Sequence, residues 1–566
     1  MRLNLIAFLS LMAASTAATH GQNLSDSTAA TPDLVDVIVQ FRDQPAQAHH
    51  RRMAARGAQL KHSLDVIHAA HYSLPVSKLG EVESDPDVIH VSLDHALHAT
   101  GTVLPSTPDY GWMTVLGVSS PSAKLPWDGS GIGVAVIDSG IAGNPPDLQS
   151  ATGKDRVVYQ QSLIPNVNDS NDHYGHGTMV AGLIGGNGKN STGSGYDYTV
   201  RGIAPNVNII SLRVLDDNGS ATDSTVIAGI QRAIQLKSQY NIRVINLSLG
   251  RPVYESYKLD PLCQAVQQAW NAGIVVVVAA GNQGRNNTYG NQGYATIEAP
   301  GNSPYAVTVG AMNTLGTPSP YDDKITSYSS KGPTLIDHVV KPDLVAPGNR
   351  LVSIEAGGSY LVATYPSNRV AHALYKTGTD TGASSQYFEL SGTSMAAPMV
   401  SGAAALLIQQ DPTLTPDQVK ARLILTATKL PQITTTSVDP VTGIQYVSEN
   451  DIFTVGAGYL NVQAALNSTA KATLPATSPS ASFDWLTQTV TMVSPTGAIW
   501  GTGAIWGTGA IWGTGAIWGT GAIWGTGAVW GTGAIWGTGA IWGDGAIWGT
   551  GAIWGDALTV AINGEN

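Results

Sequence analysis

The apolar pattern changes period several times within the first hundred residues. Leu5 to Ala14 is a continuous apolar run behind Met1-Arg2-Leu3, and small residues follow through Ala18. One positive charge, a short apolar core and a small-residue exit describe a secretory signal over 1–18, cut after Ala17 or Ala18, rather than a membrane span. Val35 to Phe41 alternates and is β-branched, which predicts a strand. His50 to Ala70 carries Ala, Arg, His and Leu at helical spacing, Ser77 to Val82 suits a short helix, and Val88 to Leu93 predicts a further strand. Residues 34–99 therefore read as a small α+β unit, two helices backed by a sheet. The Gly, Ser, Pro and Thr of 101–107 read as a linker.

From Pro108 to Ser468 the pattern is different. Short apolar runs at Gly133–Ile137, Val207–Leu212, Arg243–Leu247 and Ile274–Ala280 alternate with helical stretches at Thr225–Gln239, Leu262–Asn271 and Met395–Gln410. Near-continuous apolar strands separated by helices predict a parallel sheet covered on both faces. Chemistry in such sheets gathers at the carboxyl ends of the strands.

After Ser468 the chain turns to Thr, Pro, Ser and Ala, a linker over 469–496. From Gly497 to Asp556 the unit Gly-Ala-Ile-Trp-Gly-Thr recurs in ten copies, with Val529 once in place of Ile and Asp544 and Asp556 closing two of them. Ten of the 14 tryptophans lie there. Six is even, so an extended chain would put every Trp on one face, which a helix would not. A β-rich array fits this regularity, and the Ile and Trp content is far from that of a disordered tail. A row of indoles would suit sugars, a membrane interface or self-association. Residues 557–566 are a short tail.

Composition narrows the functional classes. At 566 residues several domains are expected. Net charge is −11 with 12% charged residues, and the 29 Lys and Arg never cluster beyond Arg51-Arg52. No nucleic-acid surface is implied. The single cysteine, Cys263, excludes an internal disulfide and sits in an amphipathic helix pattern, as a buried structural thiol would.

Three short segments carry candidate chemistry. Asp138 closes an apolar strand in Val136-Ile137-Asp138-Ser139-Gly140. His176 heads His176-Gly177-Thr178-Met179-Val180-Ala181-Gly182. Ser394 lies in Gly392-Thr393-Ser394-Met395-Ala396-Ala397-Pro398 at the start of an alanine-rich helix, with Pro398 expected in its opening turn. A serine hydroxyl needs an imidazole to take its proton, and the imidazole needs a carboxylate to hold its tautomer. Asn282, directly after an apolar strand, and the Ser394 N–H would stabilise an oxyanion. Each segment alone reads equally as a turn, a loop or a cap. Their order and placement together point to a hydrolase.

These blocks, with Asn246-Leu247-Ser248-Leu249-Gly250, Ala279–Gly284, Arg201–Pro205, Lys341–Gly348 and Gly456–Asn461, resemble the signature blocks of subtilisin-like serine proteases over 108–468. The resemblance implies a doubly wound, mostly parallel α/β catalytic domain, endopeptidase activity, the triad Asp138, His176 and Ser394, and Asn282 in the oxyanion hole. It also implies that 34–99 is an inhibitory pro-domain of ferredoxin-like α+β fold, an intramolecular partner of a secreted zymogen that acts on polypeptides. By the same resemblance Ser248, Leu249 and Gly250, with Gly219 and Ala221, are edges that hold a substrate as an added strand. Ala279, Ala280 and Gly281 would line the primary pocket. Glu298 would either point into that pocket and favour Lys or Arg, or be a solvent-facing loop carboxylate. No cofactor is required for this chemistry. The long Gly185–Thr199 stretch leaves calcium ligands, Asp197 among them, unassigned. Leu351–Glu389 suggests a surface insertion near the active site, and His173 a surface neighbour. The competing reading is a catalytically inactive surface adhesin that binds glycans or cell surfaces through the Trp repeat.

Overall fold

The computed structural model describes residues 34–99 and 109–493, with breaks at 111, 119–124, 289–290, 432, 440–441, 473–474 and 485–488. The predicted signal, the 101–107 linker, the Trp repeat and the tail lie outside the described residues. The chain divides into two units, 1–95 and 96–566.

In the first unit, strand β1 (Leu34–Phe41) is followed by α1 (Gln47–Ala55), β2 (Gln59–Leu64), β3 (Ala69–Pro75), α2 (Leu79–Glu83) and β4 (Val88–Leu93). The sheet order is β2-β3-β1-β4, with β1 antiparallel to both β3 and β4. This is a split β-α-β arrangement. Its core joins Val37, Val39 and Phe41 to Met53, Tyr72, Leu74, Leu79 and Val82. The helix expected over 50–70 is overturned here. It ends at residue 55, because Gly57 turns left-handed at φ 84, and a second left-handed residue, His68 at φ 51, sets up the return into β3. Edge strand β2 buries only Leu64 fully, so its alternation is too weak to read.

The second unit opens with β5 (Ala96–Ala99), which the sequence had grouped with the first. The strands of its main sheet begin with β6 (Gly133–Asp138), whose six residues are all buried, and β7 (Val157–Ser162). Helix α3 (His176–Gly185) precedes β8 (Asn208–Arg213), and β9 (Ser220–Thr222) runs into α4 (Asp223–Tyr240). Then come β10 (Ile242–Leu247), the two-residue β11 (Leu249–Gly250), α5 (Pro261–Asn271), β12 (Val275–Ala279), β13 (Val307–Asn313), β14 (Lys324–Ile325) and β15 (Leu344–Pro347). The order is β14-β13-β12-β10-β6-β8-β7, with β15 also on β13, and every pairing is parallel except β13 with β14. The mostly parallel α/β sheet read from the sequence is present.

Helix boundaries follow local chemistry. Asp260 caps α5 by accepting from the N–H groups of Leu262 and Cys263, and Pro261 fills the first turn without wasting a donor. Cys263 is buried, its thiol pointing at Asn302 Oδ1 (3.1 Å). Residues 351–390 form a small antiparallel sheet of β16 (Leu351–Ile354), β17 (Arg369–Ala371) and β18 (Ala383–Leu390). Helix α6 (Thr393–Gln410) follows, buried from Thr393 to Ile408, where small residues such as Ala403, Ala404 and Ala405 let it lie close against β10, β12 and β13. Within the stretch read as a linker, Ser480–Asp484 and Thr489–Val493 pair as a hairpin. Just before them Ser478 is buried, and its hydroxyl donates to Asp343 (2.6 Å).

Candidate active site

Asp138 is the last residue of β6, Ser248 directly follows β10, and Asn282 lies three residues past β12. All three are at carboxyl ends of parallel strands, where the sheet topology leaves a crevice. His176 and Ser394 come from the first turns of α3 and α6, two helices that pack on each other. All four candidate catalytic side chains are buried.

His176 Nδ1 donates to Asp138 Oδ1 at 2.8 Å, and the Ser139 N–H donates to the same oxygen at 2.8 Å. That fixes the imidazole tautomer and leaves Nε2 as the acceptor, buried and without a hydrogen-bond partner. The Ser394 hydroxyl donates to Ser248 O at 3.0 Å rather than to His176. Hydrogen bonds between a serine and an imidazole in such a site are often long or unmade in the free protein and tighten when substrate binds.

Asn282 Oδ1 accepts from both the N–H and the hydroxyl of Thr393, each at 3.0 Å. With its oxygen committed, the amide turns its Nδ2 the other way, where it is buried and unpartnered. An unpaired donor inside a protein is costly, so a site that keeps one has an acceptor waiting to be bound.

The position of Pro398 differs from expectation. It is the sixth residue of α6, not part of the opening turn. Lacking an N–H, it leaves the Ser394 carbonyl four residues earlier without its helical donor. The Ser248 hydroxyl donates to that carbonyl at 2.9 Å. Ser248 therefore meets Ser394 twice, once as donor and once as acceptor.

Residues beyond the four candidates hold the carboxylate and imidazole in place. Buried Asp172 accepts from Ser139 Oγ (2.8 Å), Gly175 N (2.6 Å), and Thr178 N (2.8 Å) and Oγ1 (2.6 Å). Ser139 Oγ in turn accepts from Gly177 N at 2.8 Å. Burial raises the Asp172 carboxyl, against the pull of these hydrogen bonds. The available signal was local: an acid four residues before His176 and a serine next to Asp138. Thr393 had no such signal, since its partner is 111 positions away. His173 is exposed and pairs with Asp169 (2.6 Å).

The two predicted substrate edges are occupied. Strand β5 lies between β11 and β9, antiparallel to both, with Ala99 opposite Leu249, His98 opposite Gly250 and Leu97 opposite Ala221. Ala99 N donates to Gly219 O at 2.9 Å, and Leu97 is fully buried. Gly219 is left-handed at φ 75 and presses on the Tyr174 ring, which a Cβ would meet at 2.6 Å. The 351–390 insertion touches this neighbourhood: Tyr360 N donates to His173 O and Leu361 N to Tyr174 O.

Glu298 is 5% exposed, which removes the solvent-facing alternative. Its side chain lies between Gly250 and Gly281, where added Cβ atoms would each come within 2.7 Å of it. Gly281, left-handed at φ 103, requires glycine, and a side chain at Gly250 would displace the Glu298 carboxyl. Oε1 receives one long hydrogen bond from Gln283 Nε2 (3.3 Å), and Oε2 is buried with no partner. Burial pushes this carboxyl up to about 7. Ala279 ends β12 and packs in the hydrophobic core.

Around Gly185–Thr199, no group of three or more His, Cys, Asp or Glu side chains converges among the described residues. Asp197 accepts from the Thr377 hydroxyl at 3.0 Å.

A mostly parallel sheet with an aspartate-bound histidine and a helix-borne serine at its carboxyl ends has the architecture of an α/β serine hydrolase. Residues 129–485 match the family model described as the subtilase family, and the chain belongs to that family of serine endopeptidases. Serine protease AprX of Bacillus subtilis is 39% identical over 300 residues, 52% of this chain and 61% of AprX. Subtilisin E of the same species is 32% identical over 415 residues, 73% of this chain and 84% of its own length. Fervidolysin from Fervidobacterium pennivorans, a keratinolytic enzyme related to subtilisin, shares the fold with a TM-score of 0.55. It is 22% identical, and the match covers 78% of this chain and 62% of fervidolysin.

Proposed function

We propose that this chain is a secreted serine endopeptidase, made as a zymogen, that hydrolyses polypeptides through an acyl-enzyme. Ser394 Oγ attacks the peptide carbonyl while His176 Nε2 takes its proton. Asp138 holds Nδ1–H and stabilises the imidazolium that forms. Asn282 Nδ2 and the Ser394 N–H receive the oxyanion. His176 then gives its proton to the leaving amine, and water repeats the sequence to free the acid.

The observation that carries this reading is the pairing of two committed atoms with two waiting ones. His176 Nδ1 and Asn282 Oδ1 are tied to the protein, while His176 Nε2 and Asn282 Nδ2 are buried without partners. Those are the acceptor and donor that the reaction uses. The zymogen reading rests on β5. Its register puts the next residue of any chain bound this way opposite Ser248, beside Ser394, so the chain's own Ala96–Ala99 occupies the place of an acyl-side substrate. Secretion rests on the 1–18 pattern and on the family.

Fluorophosphonate labelling tests the reading. Ser394 of the pro-unit-free protein should label covalently, and His176→Ala should abolish labelling. A folded chain that stays unlabelled would favour the adhesin.

A further inference from the structure

We propose that Glu298 makes the primary pocket selective for substrates with lysine or arginine on the acyl side of the cleaved bond. This deepens the peptidase reading and rests on it.

The groove's ladder fixes where such a side chain goes. A bound strand in the β5 register has its next residue opposite Ser248, with Gly250 on one flank and Gly281, adjacent to Asn282, on the other. The side chain wedged against both glycines is Glu298. Two positions without side chains leave room beside their backbones, and the Glu298 carboxyl occupies it, so an entering side chain meets that carboxyl directly.

Among the described residues that carboxyl has no counter-charge. The nearest candidate, Arg251, pairs its backbone with Ala299 but spends its guanidinium on Asp223 and Asp260, each at 2.8 Å. The other groups facing Glu298 are the Tyr254 phenol and the uncharged Gln283 amide. Neither supplies a cation. Oε2 also lacks any donor. An ammonium or guanidinium entering there would supply both, as a charge-assisted hydrogen bond in a dry setting. A leucine or phenylalanine would leave the carboxyl buried and unpaired, and sites with buried polar groups reject guests that cannot satisfy them.

Burial raises the Glu298 carboxyl to about 7, so a cationic guest does more than fill space: it holds the ionised form. Below that pH the acid carries its own proton, and the advantage of a cation shrinks. The strand already in the groove does not depend on this effect. β5 contains no Lys or Arg, nor do Thr100 and Gly101 after it, so ladder pairing rather than charge holds it.

The test is a panel of peptides differing only at the acyl-side residue (Arg, Lys, Gln, Leu, Phe, Ala), cleaved by the full processed chain. With Glu298 near 7, kcat/KM should favour Arg and Lys over Leu and Phe by about tenfold or more at about pH 8.5, with the gap closing towards about pH 6. Glu298→Gln should erase most of that preference and its pH dependence, and Glu298→Asp should keep part of both. If Leu or Phe is preferred at the higher pH, or if the ranking is unchanged in Glu298→Gln, the inference is wrong. The wild-type profile alone decides it should the Gln variant not fold. Fluorophosphonate labelling of the wild type separates the two levels. A chain that labels but shows no basic preference overturns this inference only, whereas one that does not label overturns the peptidase reading beneath it.

Discussion

The end of β6, with Asp138, and the glycine-flanked position of Glu298 handle a buried carboxylate in different ways. Asp138 has an imidazole N–H and a backbone N–H on one oxygen, at 2.8 Å each, and its other oxygen, like that of Glu298, is buried without a partner among the described residues. Glu298 has one long contact from an uncharged amide, and its second oxygen faces nothing. Asp138 is tied so as to hold a neighbour still. Glu298 is left incomplete, and only a guest completes it. Supporting groups make an orienting residue, whereas their absence makes a recognition residue. A single crevice accommodates both because its walls come from different strands.

The sharpest way to break the contrast is to remove the charge at the well-supported end. Asp138→Asn should cost about 10⁴-fold in kcat with little change in KM, because the amide favours the wrong imidazole tautomer. A similar kcat for the variant would mean that His176 is oriented by something else. Next in size is Asn282, the proposed oxyanion donor. Asn282→Ala should lower kcat by about 10²–10³-fold, a magnitude taken from subtilisin itself. An equal loss carried in KM instead would place the amide in ground-state binding.

The Glu298 end predicts a stability effect instead. Glu298 has a folded value near 7 against 4.5 for the free group, so the folded state holds its proton more tightly. That stabilisation is fully present below about pH 4.5 and is lost as pH rises through about 7, a span worth about 3 kcal/mol. Urea unfolding of protein blocked at Ser394 should show stability falling across that window in wild type and a flatter profile in Glu298→Gln. Equal slopes would show that the carboxyl is not held neutral. Smallest of all is Thr393→Val, which removes one of the two hydrogen bonds to Asn282 Oδ1 and the long one accepted from Gly281 N (3.2 Å), and keeps the backbone one. About 1 kcal/mol, or roughly fivefold in kcat, is expected. A loss as large as that of Asn282→Ala would make the hydroxyl the dominant anchor.

The two units were not equally legible. β12 is a run of four valines and an alanine, all buried, and such a run announces a central parallel strand wherever it occurs. In the first unit the span 50–70 carries helical composition, yet Gly57 and His68 turn it and the rest pairs as a hairpin. Pairing with a strand distant in sequence overrode local preference there. The same distinction runs through the site. Asp138, His176, Asn282 and Ser394 stood out because each sits in a compact motif at the end of an element. Thr393 as the anchor of an amide 111 residues away did not, and neither did Ser248 as the donor that replaces the N–H missing at Pro398.

The sequence by itself determined the central parallel strands of the second unit, helices that cover them and the chain order of the candidate catalytic groups, because burial and periodicity are local properties of the chain. Only the tertiary structure decided that Glu298 is buried, that Gly250 and Gly281 flank it, and that Ala96–Ala99 pairs with both β9 and β11. Those outcomes depend on what remote segments bring into contact. A carboxylate's role follows from how many donors reach it, and that number exists only once the chain has packed.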